Sequence, residues 1–284
     1  DEDDESFTIT HTVASGDPFY DGVDVLSTFG GALAVVVKDD DTAGVLLSAV
    51  GGLRLDEGVA GVVSYDVQLA SDPNEAHDGT LDASYEVHLT VALPTGSTSD
   101  ISLNGGSVDV VLTFTGANWN VAQQVTVGAI GDDEAEADVE TYMLSHTTTT
   151  APSTDPAVYS SNLEWSSTAV HVVDDDVAMV VFDVGSLTVY ESEGDLATVH
   201  SYFVSLSSAP TQPVTVSAAL DFDTDVTITP ATGTAPFVFD DTNWMTAREM
   251  FVSAKDDAVD EDDESFTITH TVASGDPFYD GVDV

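Results

Sequence analysis

Asp1–Val25 (DEDDESFTITHTVASGDPFYDGVDV) recurs without one change as Asp260–Val284, so the sequence repeats with a period of 259 residues. Identity that runs through loop positions, which packing leaves free to vary, marks duplicated copies rather than a merely shared fold. The expectation is a tandem array, seen from the middle of one copy through a window of one period plus a 25-residue overlap. A weaker repeat lies inside the period. Ala117-Asn118-Trp119 followed by Gly131–His146 (GDDEAEADVETYMLSH) matches Thr242-Asn243-Trp244 followed by Lys255–His270 (KDDAVDEDDESFTITH), and Val37–Val45 (VKDDDTAGV) matches Val172–Val180 (VVDDDVAMV). Each period then holds two homologous modules. The predicted organisation is the C-terminal part of a preceding module over 1–38, a module A over 39–173, and a module B over 174–284 whose last strand, resembling Ala32–Lys38, is missing.

Both modules read as all-β. Runs that alternate apolar and polar residues and are rich in Val, Thr, Tyr and Phe predict strands at Ser64–Ala70, Tyr85–Leu93, Ser107–Phe114, Gln123–Ala129 and Thr141–His146. In module B they predict Ser186–Tyr190, Ala197–Leu206, Pro213–Leu220, Asp225–Pro230, Glu249–Ala254 and Ser265–His270. Turn residues separate these runs at the spacing of a two-sheet sandwich, and no useful helical periodicity is present. Immunoglobulin-like sandwich modules in tandem are therefore expected, with Trp119 and Trp244 sealing the end of a sheet.

The charge balance excludes several partners. With 52 Asp and Glu against 4 Lys and Arg, the formal net charge is −48, so nucleic acid and anionic lipid, both held by cationic side chains, are repelled. The 42% of hydrophobic residues is too high for a disordered acidic tail. No run approaches the roughly 20 apolar residues of a membrane helix, and the acidic start is the opposite of a signal peptide. Cysteine is absent, which removes disulfides, thiolate zinc sites and cysteine nucleophiles.

The acids are clustered rather than spread. They concentrate at Asp1–Glu5, Asp39–Asp41, Asp132–Glu140, Asp174–Asp176, Asp221–Asp225 and Asp256–Glu264, all in predicted loops or strand junctions. Calcium takes six to eight hard oxygen ligands from such loops. Without a cation, carboxylates packed this closely raise one another's pKa values. The triplets also stand where one module runs into the next, since Lys38 leads through Asp39-Asp40-Asp41 to Val45 with no Gly/Ser spacer. Calcium bound there would pin neighbouring modules and stiffen the array.

Leu187–Gly194 (LTVYESEG), the strands Ser201–Leu206 and Val214–Leu220, the loop Asp256–Phe266 (DDAVDEDDESF), and a closing strand that ends in DDDTAGV (Asp39–Val45 of the preceding copy) resemble a Calx-β domain. That family is the calcium-binding sandwich of sodium–calcium exchangers, and it also forms long tandem arrays in extracellular adhesion and matrix proteins. The resemblance implies Ca2+ at one end of each sandwich. It implies as ligands Glu191 or Glu193, Asp225, Asp256, Asp257 and Glu261 in module B, with a triplet represented by Asp39, Asp40 and Asp41. For module A it implies Glu57, Asp100, Asp132, Asp133, Asp174, Asp175 and Asp176. Module A departs from the pattern at Ala137, which stands at the position of Glu261 and leaves Glu136 as a substitute.

Other motifs are weaker. Asp221–Asp225 begins like an EF-hand loop but has Val226 where the sixth-position Gly is needed. His11, His146 and His270 occupy equivalent strand positions and read as packing residues rather than zinc ligands. No nucleophile elbow and no phosphate loop is present, so no enzyme is expected. Thr147, Thr148, Thr149 and Thr150 open a Ser/Thr/Pro tract that reads either as an O-glycosylation site or as a polar hairpin loop. The leading expectation is a structural repeat of a giant extracellular filament or surface appendage, whose partners are neighbouring copies of itself. The alternative is the stalk of a Ca2+-dependent adhesin that recognises a glycan or a surface, with Ser71–Ala83, unmatched in module B, as the place to look for that partner.

Overall fold

A computed structural model describes residues 4–23, 32–49, 51–73, 86–97, 100–151, 159, 163–191, 200–220, 225–260 and 262–284. Among these residues there is no helix, and hence none long and apolar enough to cross a membrane. The chain is all-β and divides into two compact units: 1–55, 60–130 and 141–171 in the first, and 56–59, 131–140 and 172–284 in the second.

In chain order the strands begin with β1 (Glu5–Thr10), β2 (Ala32–Val37), β3 (Val45–Leu47), β4 (Leu53–Asp56), β5 (Val62–Leu69), β6 (Glu86–Ala92) and β7 (Ile101–Leu103). They continue through β8 (Val110–Phe114), β9 (Gln123–Ala129), β10 (Glu140–Ala151), β11 (Leu163–Glu164) and β12 (Thr168–Val173). The rest are β13 (Val180–Phe182), β14 (His200–Leu206), β15 (Val214–Leu220), β16 (Val226–Pro230), β17 (Phe237–Phe239), β18 (Arg248–Ala254) and β19 (Ile268–Ser274). One module pairs its strands as β3-β5-β9-β7 and β4-β12-β10-β6-β8, with β11 on the side of β10; the other pairs them as β13-β14-β18-β16 and β17-β15-β19. The two orders match strand for strand except at β4, β11 and β12. Ser186–Tyr190, predicted as a strand, forms none. Its counterpart β4 is held by β12, and among the described residues the second module has no strand in β12's place.

Alternation explains the elements. On β6, Val87, Leu89 and Val91 point into the core while Glu86, His88 and Thr90 do not, and Tyr65, Val67 and Leu69 do the same on β5. The second core draws Tyr202, Val204 and Leu206 from β14, Val214 and Val216 from β15, and Phe237 and Phe239 from β17, so both of its sheets contribute. A two-residue turn at Asn104-Gly105 needs positive φ at both positions (48° and 77°), which Asn and Gly supply at little cost.

The internal repeat is reproduced bond by bond. The Trp119 carbonyl accepts the Leu69 N–H and the Trp244 carbonyl accepts the Leu206 N–H, each at 3.0 Å. Tyr65 and His146 join their two sheets through a 2.9 Å contact between Oη and Nε2, and Tyr202 and His270 do so at 2.8 Å, with the rings edge-on in both pairs. A third recurrence escaped the sequence reading. The Tyr159 hydroxyl lies 3.0 Å from Ser71 Oγ, and the Tyr279 hydroxyl lies 2.9 Å from Ser208 Oγ while also accepting the Ser208 N–H and donating to its carbonyl.

Candidate metal centre

Apart from Asp100, the candidate acids of module A lie in the second unit. Glu57 lies in the short segment after β4, where its N–H donates to the Val173 carbonyl at 2.9 Å. It is 8% exposed, and its Oε1 is closed off from solvent. Gly58 follows, and the Asp175 carboxylate rests on it so closely that a β-carbon would come within 2.6 Å of Asp175 Cγ. Gly131 stands against the Glu57 carbonyl, 3.1 Å from where its own β-carbon would be. Two glycines thus let the Glu57 segment approach both the Asp175 carboxylate and the start of the Asp132-Asp133 loop, although no three of these acids bring ligand atoms within 4.8 Å of one another.

Backbone amides orient this group. Asp174 accepts the Glu136 N–H on Oδ2 and the Asp176 N–H on Oδ1, each at 3.0 Å, and Asp132 Oδ1 accepts the Glu134 N–H at 2.8 Å. The Asp133 carbonyl accepts the Ala209 N–H at 2.6 Å, which ties the loop to the body of its unit. The Asp176 carboxyl is raised above its ordinary value, first by burial and then by the charges of Asp175, Asp174, Asp133 and Asp132. Beside them a concavity of about 390 Å³ is lined by Glu136, Asp138, Asp174 and Asp176 together with Ala178 and Phe278. Glu136 therefore faces the same space as Asp174 and Asp176.

The remaining candidates divide. Asp39, Asp40 and Asp41 each present a carboxylate oxygen such that the three lie within 4.8 Å of one another, the one such group among the described residues. Here the Asp39 N–H donates to Asp4 Oδ1 at 3.3 Å, and Lys38 forms an ion pair with Asp4 that holds the Asp4 carboxyl below the usual carboxylate range. Asp100 belongs to the first unit, where its Oδ2 accepts the Tyr142 hydroxyl. Asp225 is half-buried, with its carbonyl taken by the Lys255 N–H at 2.7 Å; Asp256 and Asp257 are exposed, and Asp257 Oδ1 accepts the Val259 N–H at 2.7 Å. These three do not meet as a three-donor group. Glu191 is exposed, and Glu193 and Glu261 lie outside the described residues, as do 74–83 of the extra loop and 221–224 of the EF-hand-like run.

The threonine tract requires a correction. Thr147–Thr150 is not a hairpin loop but part of β10, paired with β6. Thr148 is fully buried and accepts the Trp165 indole N–H at 2.9 Å, so no sugar can be attached there.

No family model and no curated protein matches the chain. Among solved structures it is similar to a protein of unknown function from Porphyromonas gingivalis W83, at 13% identity and a TM-score of 0.29, covering 74% of this chain and 82% of that one. A second is the CsuC–CsuE chaperone–tip adhesion subunit pre-assembly complex of the Csu pili of Acinetobacter baumannii, at 10% identity and a TM-score of 0.26, covering 81% and 99%. A third is Escherichia coli alpha-2-macroglobulin activated by porcine elastase, at 8% identity and 0.22, covering 87% of this chain and 24% of that one. At these scores the similarities assign no function.

Proposed function

We propose that the chain is a structural repeat unit, built of Calx-β-like, immunoglobulin-like sandwich modules, of a giant extracellular filament or surface appendage, and that Ca2+ held by the inter-module acids stiffens it. One observation carries the reading: the Asp175 carboxylate is seated against Gly58 while the Glu136 and Asp176 amides hold Asp174, and the Asp176 carboxyl is raised first by burial and then by the charges of Asp175, Asp174, Asp133 and Asp132. Like charges held together at a cost in the free chain are the arrangement a hard divalent cation relieves. The spacing of Asp39–Asp41 supports the same chemistry at the equivalent sequence position. An unbroken recurrence of 25 residues supports the array.

The test is calcium titration of the 284-residue chain by calorimetry, followed by melting. At 100 times its dissociation constant a single ion adds about 2.7 kcal/mol to the folded state. A melting transition that rises with calcium and returns with EDTA is expected, and the double substitution Asp174→Asn, Asp176→Asn should weaken the tightest site by on the order of 10–100-fold. A transition that calcium leaves in place, beyond what an equal ionic strength of NaCl does, removes the metal from the reading.

A further inference from the structure

The sheet β13-β14-β18-β16 matches β3-β5-β9-β7 strand for strand, and the strand that β12 represents belongs to the opposite sheet. The two outward faces therefore compare position by position, whatever follows Val284. Phe203 comes after Tyr202 as Asp66 comes after Tyr65, and it stands opposite Glu249 as Asp66 stands opposite Gln124. Phe251 stands opposite Ser201 as Thr126 stands opposite Ser64. One module builds this sheet with Asp and Thr where the other has two phenylalanines, so the fold does not require the rings. Phe203 is 39% exposed, Val181 on the adjoining strand is 41% exposed, and Phe251 is half-buried. Grouped apolar side chains on an outward face mark a contact surface.

The rings sit among hydroxyls. By strand alternation Ser201 and Ser205 share the face with Phe203 on β14, Ser253 shares it with Phe251 on β18, and Thr227 and Thr229 lie on it from β16. Thr227 Oγ1 and Ser253 Oγ meet across the strands at 2.7 Å. Phe203 and Phe251 are diagonal neighbours, a separation of roughly 7–8 Å in an antiparallel pair. Among these outward positions Glu249 is the one acid, on a chain whose net charge is −48. A second carboxylate, Asp183, stands just beyond β13, where its Oδ1 accepts the Phe203 N–H at 2.8 Å.

We infer that this face of module B binds a neutral polysaccharide. Sugar rings present apolar C–H faces, which pack on aromatic side chains, and rims of hydroxyls, which exchange hydrogen bonds with Ser and Thr because each such group both donates and accepts. The diagonal spacing of Phe203 and Phe251 lets one extended sugar chain lie across both rings, with Glu249 between strands as an acceptor. Charge selects the class of polymer. An acidic glycan or a second copy of the chain would meet the field of −48, and a polycation is drawn to the acid-rich loops rather than to a face with one carboxylate. The site is on a different module from the Ser71–Ala83 loop, and it does not depend on the calcium reading.

The 284-residue chain is tested in EDTA, which keeps the outcome separate from the calcium reading. The probes are cellulose and chitin in pull-down, and xyloglucan, galactomannan and laminarin in affinity electrophoresis, with alginate as the acidic comparison. Retention by at least one neutral polymer, and none by alginate, is expected. The double substitution Phe203→Asp, Phe251→Thr installs the residues that module A carries at these places. It should leave the melting transition where it was and weaken retention by on the order of 10-fold or more. Phe203→Ser alone, at a position already open to water, should give a smaller loss. Retention by none of the neutral polymers, retention by alginate equal to theirs, or undiminished retention in the double variant each overturns the inference. So does a double variant that changes the mass of the chain in light scattering and not its retention, which would give the face to a second copy.

Discussion

At the residue scale the paired histidines and the acid cluster respond to pH in opposite directions. Burial holds the His146 and His270 imidazoles below their ordinary value of 6.5, opposed at His146 by the hydrogen bond that its Nδ1–H donates to the Ser166 carbonyl. Their partners Tyr65 and Tyr202 are shifted up by the same burial, Tyr202 to about 12. A depressed histidine contributes stability that is complete above the unfolded value and is lost as pH falls toward the folded one, because only the unfolded chain takes up the proton. Each such histidine costs the fold at most about 1.4 kcal/mol per pH unit in that window. Asp176, raised in the fold, has the reverse sign: its contribution is present below the ordinary carboxyl value of 3.8 and declines as pH climbs through the raised one. In EDTA the melting temperature should therefore drop between about pH 7 and pH 5, and the double variant His146→Gln, His270→Gln should flatten that drop. An equally steep drop in the variant would assign the loss to other groups.

At the scale of elements, the tyrosine latches give the sharpest test, because the chain carries its own control. Tyr279 is fully buried on Ser208, while Tyr20, the same residue in the same 25-residue sequence, is 62% exposed. Tyr279→Phe should cost about 1–3 kcal/mol by stranding the buried Ser208 groups, and Tyr20→Phe should leave the melting transition where it was. Equal effects would mean that the hydroxyl bond contributes nothing. This contrast also marks what sequence could tell. The long alternating strands were legible from period alone, as Gln123–Ala129 and Val214–Leu220 illustrate. Leu53–Asp56, Ile101–Leu103 and Phe237–Phe239 were not, because three or four residues carry too little alternation and form strands only where a neighbour is waiting. In the candidate site, the clustering of acids was visible in one dimension. That Asp100 would be taken by Tyr142, or that Gly58 would give room to the Asp175 carboxylate, depends on contacts between residues 42 and 117 positions apart, which no local pattern encodes.

For the molecule as a whole, a formal charge of −48 opposes compaction, and the folded chain works against it everywhere its acids approach one another. Raising NaCl from about 0.01 to about 0.15 M shortens the screening distance from about 30 to about 8 Å. That change should lift the melting temperature by several degrees before any specific cation is added. A transition insensitive to this range would show that the acids are already spaced beyond mutual reach. Only seven residues, Lys38–Gly44, separate the end of β2 from the start of β3, and three of them are aspartates. Fully drawn out, such a joint spans roughly 24 Å, so it can supply almost no slack. In the tandem array proposed above, joints this short would make the polymer under tension a cable rather than a spring: it would yield length only when a sheet gives way, with the load borne by backbone ladders and not by linkers.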